Sequence, residues 1–290
     1  MPMDGQRMTK NRTSLLFKKW FDVSRERALS LLFPPRCIVC DEILTPEERE
    51  RGIHLVCESK LYPVKGAVCM HCGRPFGRKK SPSQNNKHMN EDAWMHLQMD
   101  SVREYCGECC RKGYVSKNES HRNSAITQGK SLYLYRGAVK TTMYRFKYAN
   151  KREYASFFAQ KAVEQYGDWI RQAEVIVPVP MYLPKQKLRG YNQAETFAKA
   201  LSRRTGIPVD KQSVYRVKNT TPQKELSHKE RKNNLENAFQ KGQSIVQYSH
   251  ILVVDDIYTT GYTAQAVARE LRKQGGRHIQ LLSICIGGYD

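Results

Sequence analysis

The stretch His250–Gly276, HILVVDDIYTTGYTAQAVARELRKQGG, indicates the fold class of the chain. It begins with an apolar run, Ile251–Val254, and a run that is apolar on both faces is typical of a strand buried in a parallel sheet. A turn rich in hydroxyl residues, Thr259–Thr263, follows. Apolar side chains then recur at helical spacing, at Ala264, Val267, Ala268 and Leu271. The stretch therefore predicts a strand–turn–helix unit of a parallel α/β sheet.

Two adjacent carboxylates, Asp255 and Asp256, stand between the apolar run and the turn. Ligands bind just beyond the carboxyl ends of strands in open parallel sheets, where a carboxylate can accept hydrogen bonds from the vicinal hydroxyls of a ribose. The free N–H groups and the dipole at a helix start favour a phosphate. Threonine hydroxyls add donors, and Gly261 lets the backbone approach closely. These features predict a sugar-phosphate site, with an ordinary strand–helix turn as the alternative.

The chain is strongly basic: its 290 residues include 49 Lys and Arg against 28 Asp and Glu, a net charge of +21. This excess favours polyanions such as nucleic acid, anionic lipid or phosphorylated ligands, with a solvated basic surface as the alternative. No apolar run approaches the ~20 residues that span a bilayer, and the N-terminus lacks the apolar run of a signal peptide. We therefore expect a cytoplasmic protein whose nine cysteines ligate metal rather than form disulfides.

The cysteines of the first half of the chain form C-x-x-C knuckles. Each knuckle presents two thiolates on one turn, and two knuckles complete a tetrahedral zinc site. The complete set is Cys69, Cys72, Cys106 and Cys109. A second set, Cys37, Cys40 and Cys57, lacks a fourth cysteine, because Lys60 stands at the expected position. Either this set holds no metal or one of three residues completes it: His54, His71 or Cys110. Redox-active or merely buried cysteines are the alternative.

Three segments are predicted along the chain. Residues 1–33 combine basic and large apolar side chains, so short amphipathic helices are expected, which dock on the protein or lie at a membrane surface. Residues 34–115 form the cysteine-rich module, and residues 130–290 form the α/β domain. Within that domain the pattern predicts strands at Ser131–Arg136 and Ile279–Ile286 and helices at Gly137–Tyr148 and Glu153–Tyr166.

A second buried strand, Val175–Val177, leads into a loop, Pro178–Met181, whose prolines cannot donate to a sheet. Three cations follow this loop: Lys185, Lys187 and Arg189. Asn192 is predicted to cap the next helix. The polar, basic segment Ser227–Phe239 is suited to a lid over a phosphate site.

Val253–Thr263 resembles the phosphoribosyl-pyrophosphate (PRPP) signature of type I phosphoribosyltransferases, in which an apolar strand and two acids precede a Thr-Thr-Gly-x-Thr loop. Four features of the chain stand in the order typical of the ComF family, which are amidophosphoribosyltransferase-like proteins of bacterial competence. They are the cysteine module, Val177–Pro180, Arg189–Gln193 and this signature. The resemblance covers nearly everything from Cys37 onward. Three positions depart from the pattern, namely Lys60 for a cysteine, Asn237 for a glycine and the bulky Tyr262 for a small residue.

The resemblance implies a type I phosphoribosyltransferase-like open parallel sheet with helices on both faces, plus a small N-terminal zinc ribbon. It also implies that Asp255 and Asp256 hold the ribose of PRPP. The 5′-phosphate would lie on Thr259, Thr260, Gly261 and Thr263. The pyrophosphate, with its Mg²⁺, would lie on Pro178, Val179, Lys185 and Arg189. Zn²⁺ would be structural.

The resemblance further implies a link to the uptake of single-stranded DNA in natural transformation, and so to proteins of the competence machinery. It names no acceptor and no catalytic residue. One hypothesis is phosphoribosyl transfer, in which positioning and stabilisation of the leaving pyrophosphate suffice. The alternative is a non-enzymatic accessory factor that binds single-stranded DNA and uses the PRPP fold as a platform or sensor.

Overall fold

The computed structural model describes residues 34–76, 104–115, 124–218, 238–242 and 248–287. The chain divides into two compact units, Met1–Lys60 and Leu61–Asp290. This boundary falls inside the predicted cysteine-rich segment, because the second pair of knuckles packs into the core of the larger unit. The helices predicted in residues 1–33 and most of the predicted lid lie outside the described residues. Among the helices that are described, none is long and apolar enough to cross a membrane.

The described helices and strands follow one another in the order α1 (Leu55–Glu58), α2 (Gly107–Arg111), β1 (Gln128–Leu134), α3 (Ala138–Tyr148), α4 (Tyr154–Ile170), β2 (Val175–Pro178), α5 (Leu183–Arg189), α6 (Gln193–Thr205), β3 (Val214–Arg216), β4 (Phe239–Lys241), β5 (His250–Tyr258), α7 (Tyr262–Lys273) and β6 (His278–Ile286).

A four-stranded sheet in the order β1-β6-β5-β2 organises the larger unit. All its neighbouring strands are parallel. The last pair between β2 and β5 joins Pro178 to Val254, whereas β5 continues alongside β6 as far as Tyr258. The segment Asp255–Tyr258 therefore extends past the end of β2 and leaves a notch at this edge of the sheet.

Helices cover both faces of the sheet, as the fold class predicts. On one face α6 packs on β2 and β5, and α4 packs on β1 and α6. On the other face the apolar stripe of α7 shares a buried cluster with Ile251 and Val253 of β5. The four residues of that stripe are at most 1 % exposed: Ala264, Val267, Ala268 and Leu271. Burial of apolar surface on both faces stabilises β5 as the centre of the fold.

Two predicted elements are longer in the structure, and tertiary contacts explain both. The strand predicted from Ser131 begins at Gln128, where its ladder with β6 begins. The helix predicted to end at Tyr166 is kinked at that residue, which has the non-helical angles φ −135° and ψ 21°, and a further turn continues α4 to Ile170. In this turn the indole N–H of Trp169 donates to the Gln128 side chain at 2.5 Å. A separate antiparallel pair, β3 and β4, packs against α7.

Candidate functional site

The acid pair lies on β5, in the notch beyond the end of β2. The sequence predicts the acids just after the strand, but the strand includes them, because Asp255 and Ile257 remain paired with β6. The Asp256 carboxylate accepts a hydrogen bond from Lys147 Nζ at 2.9 Å, and both side chains are about four-fifths buried, 20 % and 17 % exposed. Lys147 lies in the last turn of α3. Sequence reasoning missed it, because nothing in its local pattern separates it from a surface lysine.

The charged groups around the notch shift one another's pKa values. Burial, and then the neighbouring charge of Asp256, raise the pKa of Asp255 to about 7. Burial alone would lower the pKa of Lys147, but the charge of Asp256 and the hydrogen bond to it raise that pKa. Burial lowers the pKa of Lys185, and nearby cations lower it further; these are Arg189, Arg216 and Lys147. A cluster of cations, of which Lys185 is exposed and the others are partly buried, beside two carboxylates is suited to an anionic ligand with hydroxyl groups.

The turn after β5 combines a left-handed glycine with a buried hydroxyl. Gly261 caps α7 with φ +80°, and a Cβ at this position would lie 2.3 Å from the hydroxyl oxygen of Tyr258. Thr260 Oγ1 is buried, and no described residue forms a hydrogen bond with it. Thr263 lies in the first turn of α7, where N–H groups of a helix lack partners within the helix. The turn therefore offers donors and an unsatisfied hydroxyl at one place.

The loop after β2 offers fewer donors than its sequence suggests. Pro178 and Pro180 have no N–H, and the N–H of Val179 donates to Val254 O at 2.9 Å. The following residues form the helix α5, which carries Lys185 and Arg189. Charge on this side of the notch therefore comes from side chains, whereas Pro178 and Val179 fix the course of the chain. A cavity of about 660 Å³ adjoins the loop and is lined in part by Pro178, Lys187, Tyr215 and Arg216.

The second pair of knuckles brings four sulfurs together. The ligand atoms of Cys69, Cys72, Cys106 and Cys109 all lie within 4.8 Å of one another. Cys72 Sγ and Cys106 Sγ are 3.7 Å apart, close to the ~3.8 Å that a tetrahedral site with Zn–S bonds of ~2.3 Å requires. All four cysteines are buried and free of disulfides. The donor set and its spacing fit structural zinc.

The first set of cysteines is completed by a histidine. The ligand atoms of Cys37, Cys40, His54 and Cys57 lie within 4.8 Å of one another. His54 Nδ1 is 3.2 Å from Cys40 Sγ, and its Nε2 is 3.2 Å from Ile43 O. A proton on Nε2 that is donated to this carbonyl leaves Nδ1 free to ligate metal. His54 therefore occupies the place that Lys60 leaves open. His71 contacts Cys109 instead, and Cys110 is exposed.

The thiol of Cys37 in this first cluster has a lowered pKa, whereas burial raises the pKa of Cys57 to about 11. Burial raises the pKa of Cys37, but hydrogen bonds from the backbone of Cys40, His54 and Val39 outweigh it and bring the pKa to about 7. Because the thiolate is the form that binds metal, a lowered pKa reduces the cost of deprotonation.

Two family models match different parts of the chain. The "Double zinc ribbon domain" matches residues 28–110. The "Phosphoribosyl transferase domain" matches residues 192–288 and so includes α6, β5, α7 and β6. The larger unit is thus a phosphoribosyltransferase-type fold, and the cysteine clusters are those of a zinc ribbon.

Relatives of known name match most of the chain. "Competence protein F" of Haemophilus influenzae is 31% identical over 242 residues, which cover 80% of this chain and 94% of that protein. "Competence protein ComFC" of Bacillus subtilis is 26% identical over 82% of this chain and 89% of its own length. "DNA utilization protein YhgH" of Salmonella typhi is 29% identical over 81% and 90%. With this similarity over nearly the whole length of its relatives, the chain belongs to the ComF family of competence proteins.

Proposed function

We propose that the chain binds PRPP, together with its Mg²⁺, in the notch beyond β2. The observation that carries this proposal is the pairing of two carboxylates with a cluster of cations and an unsatisfied threonine hydroxyl. Carboxylates suit the ribose hydroxyls, whereas N–H groups and cations suit phosphates. Magnesium usually keeps several waters and binds through substrate phosphates, so a dedicated protein cage is not required.

Each group in the notch has a role in this proposal. Asp255 and Asp256 accept hydrogen bonds from the ribose, and the ion pair with Lys147 fixes the orientation of Asp256. Thr259, Thr260, Gly261 and Thr263 surround the 5′-phosphate. Lys185 and Arg189 face the pyrophosphate, where their charge stabilises a leaving group. The adjoining cavity of about 660 Å³ has the size of a small-molecule site and is the place for an acceptor.

Calorimetry with PRPP and Mg²⁺ tests the proposal. The change Asp255→Asn with Asp256→Asn removes two carboxylate acceptors, and we expect at least a ~100-fold loss of affinity from the two hydrogen bonds that they accept. The matched control carries Glu164→Gln and Asp168→Asn on α4, which also removes two acidic charges, and should bind as the unchanged protein does. Equal affinity in the notch variant and the control would refute the assignment.

We infer a second activity, binding of single-stranded DNA, from a surface beside the notch. Tyr144 and Tyr148 are 64 % and 62 % exposed, and their rings lie 5.0 Å apart on α3. The Arg189 guanidinium lies 4.8 Å from the Tyr148 ring centroid. Lys140 stands one turn before Tyr144 on the same face. Exposed rings between cations favour a polyanion that carries flat bases, and each stacked base contributes ~1–3 kcal/mol.

This second activity agrees with the names of the relatives, which are competence and DNA utilization proteins. We propose a role in handling single-stranded DNA during uptake, with PRPP as substrate or as a ligand that reports metabolic state. Fluorescence anisotropy with an oligothymidine tests the surface. Tyr144→Leu with Tyr148→Leu should weaken binding at least ~10-fold without changing the salt slope, because stacking involves no counterions.

A variant that lacks three cations serves as the comparison for the Tyr variant. Replacing Lys185, Lys187 and Arg189 with Gln should reduce the slope of log affinity against log salt by about 0.7 for each DNA phosphate that the variant no longer neutralises. If these residues face both ligands, this variant also loses PRPP affinity, and PRPP competes with the oligonucleotide. An unchanged anisotropy curve for the Tyr variant would contradict the proposed surface.

A further inference from the structure

Two cations of the zinc ribbon contact the turn that follows the acid pair. Arg74, two residues after the knuckle cysteine Cys72, donates to Thr259 O at 2.9 Å. Lys112, which follows α2, donates to Thr260 O at 2.8 Å. Both side chains are close to buried, 13 % and 12 % exposed. Neither residue belongs to the PRPP signature, and both come from a part of the chain that the phosphoribosyltransferase family model does not cover.

Glu108 holds these two cations together. Its carboxylate lies 2.6 Å from Arg74 Nη1 and 2.5 Å from Lys112 Nζ. Glu108 lies within α2, between the ligands Cys106 and Cys109. The position of the two cations is therefore fixed by the same short helix that carries Cys109 and follows Cys106 of the sulfur cluster.

These hydrogen bonds set the direction of the N–H groups of the turn. The described peptide bonds contain no cis bond, so the N–H of each residue points opposite to the C=O of the residue before it. When Arg74 and Lys112 hold the carbonyls of Thr259 and Thr260 on one side, the N–H groups of Thr260 and Gly261 point to the other side. Neighbouring N–H groups that point the same way form a concavity that binds anions.

A second route links the cluster to the first turn of α7. His71 contacts Cys109 Sγ at 3.3 Å through Nδ1 and Ser124 Oγ at 2.7 Å through Nε2. Gln265 donates to the same Ser124 hydroxyl at 2.6 Å. The four cluster cysteines also share one apolar core with α7. Tyr262, the bulky residue of the signature loop, lies with its ring 4.6 Å from Lys112 Nζ and so packs on this connection.

We propose that Arg74 and Lys112 are positioning residues of the sugar-phosphate site, and that they orient the N–H groups of the turn for a phosphate. The inference rests on the proposed function, because it assigns these two residues to the same site. The zinc ribbon is then more than a folding device. Its second cluster holds the cations that shape the phosphate loop, so affinity for a sugar phosphate depends on residues that do not touch it.

Hydrogen–deuterium exchange and calorimetry on the same variants test this proposal. Arg74→Met with Lys112→Met removes both donors and keeps apolar bulk. We expect the amide of Gln265, which donates to Gly261 O at 2.9 Å and so reports on the order of the turn, to exchange at least ~10-fold faster. PRPP–Mg²⁺ affinity should fall at least ~10-fold, the equivalent of one missing charge-assisted hydrogen bond. Zinc content should equal that of the unchanged protein. The matched control, Lys161→Met in α4 with Arg171→Met at the C-cap of that helix, removes the same charge and should change neither quantity.

A conservative variant keeps the test decisive if the Met variant folds poorly. Arg74→Lys with Lys112→Arg retains donors at both positions and should retain affinity within about threefold and slow exchange of the Gln265 amide. Unchanged exchange of the Gln265 amide in the Met variant overturns the inference, as does a Met variant that loses zinc while the conservative variant also fails to protect that amide. If the unchanged protein does not bind PRPP, the proposed function fails, and the exchange measurement still decides the role of the two cations.

Discussion

Asp255 and Asp256 are neighbours in the sequence but have different surroundings. Asp256 pairs with Lys147, whereas Asp255 accepts the backbone N–H of Asp256 at 2.8 Å and lies among buried groups. Burial and the charge of Asp256 together raise the pKa of Asp255 to about 7. An acid with this pKa is close to half-protonated at neutral pH, so its ionised form is available for a ligand but costs stability.

The titration of Asp255 should therefore make the protein less stable as pH rises. The pKa of Asp255 rises from 3.8 in the unfolded chain to about 7 in the fold, so between these values the folded protein binds a proton that the unfolded chain has released. The free energy of unfolding consequently decreases as pH rises through this window. Asp255→Asn should raise Tm at pH 8, by ~2–4 °C for each kcal/mol gained, and should have little effect at pH 4. Calorimetric melting at both pH values checks this, and an equal change at the two values would contradict it.

The sequence predicts the site residues of the notch only where they follow one another in one stretch of the chain. The acid pair, Gly261 and the threonines follow one another in the chain, so one stretch identifies them. Lys147 and Arg216 reach the same acids from a helix and from the separate pair of strands, so their proximity arises from tertiary packing. The sequence leaves His54, His71 and Cys110 equally able to complete the first cluster, and only the folded geometry distinguishes His54 from the other two.

At the scale of elements, the notch comes from unequal strand lengths. β2 ends at Pro178, while β5 continues to Tyr258. The apolar run predicts the buried part of β5 and the helical stripe predicts α7, because both depend on local periodicity. The continuation of β5 through the polar acids depends on its ladder with β6, which no local pattern reveals. The predicted Asn192 cap is confirmed, since its side chain accepts the N–H of Ala194 at 3.0 Å.

Gly261 permits a prediction for the turn between β5 and α7. Gly261→Ala places a Cβ 2.3 Å from the Tyr258 hydroxyl at φ +80°, so strain and a clash act together. Gly206→Ala is the matched control, because Gly206 has φ +77° and the Cβ of an alanine there would meet no atom within 4 Å. We expect ~1 kcal/mol of destabilisation from strain in both variants and a further loss, with weaker PRPP binding, in Gly261→Ala alone. Equal effects in thermal melting and calorimetry would show that the close approach to Tyr258 is unimportant.

At the scale of the whole molecule, the two cysteine clusters belong to different compact units. Cys37, Cys40, His54 and Cys57 lie in the unit that ends at Lys60, and the Cys69–Cys109 cluster lies in the larger unit. The sequence indicates both clusters through their knuckle spacing. It could not assign them to units, because the packing of the second cluster on α7 joins segments that are distant in the chain.

Metal analysis should find two zinc ions per chain, one for each cluster. His54→Ala removes a ligand of the first cluster and should lower the content to one, while PRPP binding persists, because the cations that hold the turn come from the second unit. Cys109→Ser should reduce PRPP affinity together with zinc content. A content of two in His54→Ala would exclude His54 as a ligand, and the conservative change Lys60→Gln should leave the content at two.

The hydrogen bonds of Arg74 and Lys112 to the turn couple the second cysteine cluster to the ligand, and this coupling also affects the binding of zinc. Binding free energies of coupled sites are reciprocal, so a cluster that favours the ligand-ready turn must itself be favoured by the ligand. PRPP should therefore slow the transfer of zinc from the second cluster to a chelator and leave the first cluster unaffected. The sugar phosphate would then protect the metal, and the metal content of the protein would record how much ligand was present while it was challenged.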